Sequence, residues 1–140
     1  MFGLSEDDRL LWRDFVSCAA KPGDFDHQAH LRLAYVYLAA YGPQIGTPAF
    51  KESLLAYLAH HGIDRGKYHE TLTRAWLLAV WHFMQRAGTT AGAQDFLDKS
   101  RVLLDSRVML THYSKDLLFS DSARRRFVEP DLEPIPAGAG

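Results

Sequence analysis

The chain has 140 residues and 47% hydrophobic content, enough for one domain with a packed core. Its 16 basic and 17 acidic residues leave a formal charge of -1, which argues against a globally basic nucleic-acid surface and against an acidic tail. The single cysteine, Cys18, excludes an internal disulfide and a cysteine-built zinc knuckle.

The first residues lack the basic and long apolar regions of a signal peptide, and the apolar run from Ala75 to Val80 is far below spanning length. A soluble, cytoplasmic protein that binds neither membrane nor nucleic acid is the expectation. Ser5 followed by Asp8 has the form of a capping box, and Leu4, Leu11, Phe15 and Cys18 recur at helical spacing, which predicts a helix from Ser5 to Ala20. Lys21 to Asp24 breaks it. Asp26 then caps a second helix from His27 to Tyr41, which Gly42-Pro43 stops.

Thr47 before Pro48 reads as a cap and a first-turn proline, giving a third helix to about His60 with Gly62 beyond its end. Ile63 to Lys67 is a loop. From Tyr68 to about Arg86 the pattern is apolar on nearly every side and Gly88 closes it, so this is the expected central helix. Thr89 or Thr90 caps a further helix through Asp98, and residues 102–110 supply a short helix or an extended packing segment. Ser114 and Ser120 precede two short helical patterns, Lys115 to Phe119 and Asp121 to Phe127, before three prolines end regular structure. The expected fold is all-α, a single-domain irregular bundle of about five to seven helices over residues 1–136, with a flexible tail at 137–140.

Two strings carry the chemistry. Asp26-His27-Gln28-Ala29-His30 and Tyr68-His69-Glu70-Thr71 each put histidine in the first turn of an apolar helix. Residues three apart on a helix differ by only about 60° around its axis, so His27 and His30 face one way and can share a ligand. His69 heads a stripe with Thr73 and Trp76 that should point into the bundle. Three histidines, with Glu70 as fourth ligand or general base, would suit a divalent transition metal with an open position. Zinc, iron, copper, nickel and manganese all fit nitrogen and oxygen donors.

Glu70 also has a plainer explanation, because it lies in a first turn and four residues before Arg74. Arg32, the one charge in an apolar helix, pairs with a carboxylate such as Glu70 or Asp26, or else forks a substrate anion. His60-His61 suits a helix end, His82 is rotated off the stripe, and His112 is held in reserve as a further ligand. No Glu-x-x-His pair, Walker loop, His-Glu-x-x-His or nucleophile elbow occurs.

The segments Phe25 to Ala34, Tyr68 to Thr73, and Tyr113-Ser114 with residues 120–124 and Pro130-Asp131-Leu132 together resemble an uncharacterised family of small bacterial proteins. The resemblance covers most of the chain and implies one domain; it carries over no reaction, cofactor or catalytic residue.

The leading expectation is therefore a small helical metal-dependent enzyme, hydrolytic or oxidative. His27, His30 and His69 hold the metal, Glu70 acts as base, and Tyr68 and Arg32 orient a small-molecule substrate. The alternative is a non-catalytic helical module that binds a ligand or protein, its histidines satisfying buried hydrogen bonds. An exposed share of the apolar central helix would supply a homodimer interface.

Overall fold

The computed structural model describes residues 2–135; the tail expected at 137–140 lies outside the described residues. Six α-helices occur among them: α1 (Glu6–Val16), α2 (His27–His60), α3 (Glu70–Ala87), α4 (Ala93–Lys99), α5 (Lys115–Leu118) and α6 (Asp121–Arg125). Four single 3-10 turns connect them, and a β-bridge joins Phe2 to Thr90. The fold is an all-α bundle whose buried apolar residues form a shared core. No described helix is long and apolar enough to cross a membrane.

The capping box at α1 is present as expected, Ser5 and Asp8 each accepting the other's amide. This helix ends earlier than Ala20, because Ser17 caps it and Cys18 turns left-handed at φ 63°. Helix α2 spans His27 to His60 as two helical arms, and the chain reverses between them at Gly42, whose φ of 75° suits a residue without Cβ. The Tyr37 hydroxyl donates to Ser53 at 2.7 Å and the rings of His30 and Phe50 stack 5.4 Å apart. Twenty residues of straight helix would separate that last pair by about 30 Å, so the two arms fold back on each other.

This reversal corrects the expected loop before Thr47. Gly42 alone completes the turn, Pro43 opens the second arm, and Thr47 and Pro48 lie inside it. The arms meet closely at Gly46, where an added Cβ would stand 2.7 Å from the Tyr37 carbonyl oxygen. The second arm ends on a Schellman motif: Gly62 at φ 66° donates to Ala59, and Ile63 donates to Leu58.

Helix α3 packs across this hairpin and begins at Glu70, two residues later than expected, because His69 is its cap. It buries Ala75, Leu77, Ala79, Val80 and Met84 and exposes Arg74 and Leu78. The expected cap at Thr89 or Thr90 is displaced to Gly92. Thr90 instead bonds the Tyr35 hydroxyl, which itself donates to the Gly3 carbonyl.

Buried tyrosines elsewhere work the same way. Tyr57 donates to Ala20 and Tyr113 to Val128, each at 2.7 Å, so an apolar ring fills the core while its hydroxyl ties down a connecting segment. Asp8, only 1% exposed, joins two helix starts: its Oδ2 accepts from Ser5 and from Ala93 at the head of α4.

Candidate functional site

The N-terminal ends of α2 and α3 open on a cavity of about 330 Å³, walled by both arms of α2, by α3 and by the turn at Arg65–Lys67. Phe25, Phe50, Trp76 and several leucines make most of the wall. His27, His30, Lys67, Tyr68, His69 and Thr73 supply its polar groups, and no aspartate or glutamate lines it among the described residues.

All three histidines expected at the site do line this cavity, as do Thr73 and Trp76 of the predicted stripe. Their hydrogen bonding differs. His69 accepts from the Leu72 amide on Nδ1 at 3.1 Å and donates from Nε2 to the Leu118 carbonyl at 2.7 Å. Both nitrogens are committed and the ring is a neutral helix cap; burial, chiefly, holds its pKa below the ordinary value. Metal ligation by His69 would require the loss of one of these bonds.

His27 donates from Nε2 to the Leu103 carbonyl at 2.9 Å and meets Trp76 edge-on, which leaves Nδ1. His30 is different again. Its ring lies against Phe25 and Phe50, with centroids 5.0 and 5.4 Å away, and has no hydrogen-bond partner among the described residues. Burial, reinforced by the charge of His27, lowers its pKa to about 4, so the ring is neutral at physiological pH with one N–H and one lone pair. Among the described residues, no three His, Cys, Asp or Glu side chains come together as a metal centre.

Two other expected residues lie away from the cavity wall. Glu70 accepts from the Tyr68 hydroxyl and from Lys51, both at 2.8 Å on Oε1. Burial pushes its carboxyl up, but the bonds from Lys51 and Tyr68 outweigh that and hold the pKa below the ordinary value. It is a paired carboxylate facing a separate groove, not a base poised near neutrality. The Tyr68 ring borders the cavity while its hydroxyl stays on Glu70, and burial and that bond keep the phenol protonated. Arg32 meets neither Glu70 nor Asp26. Its Nη2 lies 3.8 Å from Asp8 Oδ1, because α1 crosses that face of α2.

The reserve residue His112 donates to the Glu133 carbonyl at 2.8 Å and does not line the cavity. Beside it, Ser114 binds both carboxylate oxygens of Asp131. Thr71 donates to the Arg126 carbonyl and accepts from the Val128 amide. The string from His69 to Thr71 therefore clasps the C-terminal segment to the start of α3.

Lys67 is the functional candidate that the sequence reading passes over, as part of a loop. Phe50, Leu54 and Leu58 at four-residue spacing were the available sign of an apolar wall facing the histidines.

Comparisons with protein-family models, with curated proteins and with solved structures found no match. The site is read from its own residues.

Proposed function

We propose that this protein is a helical binding module that takes a small, largely apolar molecule into the cavity between the α2 hairpin and α3. His30 carries the reading. Its half-buried neutral imidazole, set between two phenylalanine rings on the wall of a 330 Å³ cavity and without a protein hydrogen-bond partner among the described residues, offers a hydrogen bond to a molecule that enters. A dry apolar cavity of about 150 Å³ already admits benzene, so a bicyclic aromatic is a reasonable size here.

The test uses 2-naphthamide, a neutral bicyclic probe, with isothermal titration of the full chain. Saturable binding is expected, weakened about tenfold in His30→Phe, which keeps the stacking and removes the hydrogen bond. Loss of binding is expected in Leu54→Trp, which fills the cavity. No binding to the wild type, or equal binding to all three proteins, would sink the reading.

A second reading keeps a divalent transition metal on His27 Nδ1 and His30, favoured by their placement on one helical turn facing one cavity. Hydrolysis or oxidation of a small molecule would then follow, without Glu70. Elemental mass spectrometry of tag-free wild type and His30→Phe separates the two: about one metal per chain, lost in the variant, would favour the metal centre. The lone Cys18 supports a reducing, cytoplasmic setting for either reading.

A further inference from the structure

We infer that the molecule this cavity takes is an aromatic carboxylic acid, bound as its anion; the inference rests on the binding reading above and names its ligand class. Every titratable side chain on the wall other than the Tyr68 phenol is a nitrogen base: His27, His30, His69 and Lys67. Acids near by are already engaged. Asp26 accepts from the Ala29 amide, Asp105 is held by Arg107, and Glu70 is held by Lys51 and Tyr68. Lys67 makes no ion pair among the described residues.

The ends of two long helices add to this. Both α2 and α3 begin at the cavity, and each helix start carries a partial positive charge. The Asp26 cap offsets part of it at α2 and Glu70 in the first turn part of it at α3, but neither carboxylate lines the cavity. A carboxylate taken from water needs charge-assisted partners to repay its desolvation. Lys67 supplies the charge and the His30 N–H a hydrogen bond, with no competing anion on the wall.

The remainder of the ligand is set by shape. Phe25, Phe50 and Trp76 present rings, which favour a planar aromatic body by offset or edge-to-face contact. The one lysine on the wall matches a single negative charge, so a monocarboxylate fits better than a phosphate dianion.

Titration of the full chain with 2-naphthoate beside 2-naphthamide, which share a ring system and differ in charge, tests this. The naphthoate is expected to bind about tenfold tighter, with most of that ratio lost in Lys67→Met while naphthamide affinity stays within about twofold. Lys67 is exposed in a short turn, so the variant is expected to fold, which circular dichroism checks. Naphthamide binding as tightly as naphthoate would overturn the anion and leave the binding module standing. An undiminished ratio in Lys67→Met would also overturn it. Failure of both probes on wild type would remove the binding reading itself.

Discussion

The Nε2 of His69 donates to the carbonyl oxygen of Leu118 at 2.7 Å, across 49 positions of sequence. With Nδ1 capping α3 through the Leu72 amide, one neutral imidazole starts a helix and pins a distant turn to it. A residue that reads as a metal ligand is, by its bonds, a structural pivot on the cavity wall.

Thr71 lies between wall residues of the chain but does not line the cavity, so it tests the clasp separately. Thr71→Val keeps its shape and removes the hydroxyl that serves Arg126 and Val128. A loss of roughly 1–3 kcal/mol in urea unfolding is expected, with faster amide exchange over residues 120–128 and unchanged 2-naphthamide binding. Wild-type exchange in that segment would show that the clasp does not hold it.

His30 should make stability depend on pH. Its folded pKa of about 4 lies below the ordinary 6.5, so between those values the unfolded chain binds more protons. The contribution is complete above about pH 6.5 and is lost as pH falls toward 4, amounting to at most about 3 kcal/mol. His69, also shifted down, has the same sign, so His30→Leu should flatten the pH profile of unfolding in part. An unaltered profile in this variant would count against a neutral His30.

Glu70→Gln separates the expected base from the observed ion pair. The substitution weakens the bonds from Lys51 and Tyr68, and a destabilisation of roughly 1–3 kcal/mol is expected. Naphthamide affinity should stay within about twofold, because the carboxylate faces away from the cavity. A large loss of affinity with normal stability would return Glu70 to the site.

Two glycines of the α2 hairpin should differ in mechanism. At Gly42 an added Cβ meets nothing within 4 Å, so Gly42→Ala costs only the backbone, whose φ of 75° with ψ of 170° is a region essentially reserved for glycine, about 1–3 kcal/mol. At Gly46 the Cβ would press on the Tyr37 carbonyl, and overpacking of about 1–3 kcal/mol is expected. Gly46→Ala should also weaken naphthamide binding, since Phe50 and Leu54 on the same arm wall the cavity. A Gly46→Ala protein with wild-type stability and affinity would show that the arms do not meet there.

Asp8→Ala should be the most damaging of these changes. It frees the amides of Ser5 and Ala93 and strips Arg32 of its carboxylate, for an expected loss of about 3–5 kcal/mol. A change below about 1 kcal/mol in denaturant unfolding would mean the Asp8–Arg32 pair holds nothing together.

Local features were legible wherever the deciding contact lies within a few residues. The caps Ser5, Asp26, Ser114 and Ser120 accept from amides three positions on, and Gly62 and Gly88 end their helices at positive φ. The all-α class follows from such signals together with apolar periodicity. The stripe of His69, Thr73 and Trp76 likewise faces the cavity, since helical geometry alone places residues four and seven apart on one side.

What each polar group does there was decided by tertiary structure. Whether an imidazole binds a metal, caps a helix or waits for a ligand depends on what meets its two nitrogens. For His27 and His69 those partners are carbonyls of Leu103 and Leu118, which no local pattern marks. Arg32 found Asp8 rather than Glu70 for the same reason: α1 crosses that face of α2. Periodicity orients a side chain on its own helix, but long-range packing chooses its partner, and the partner decides the chemistry.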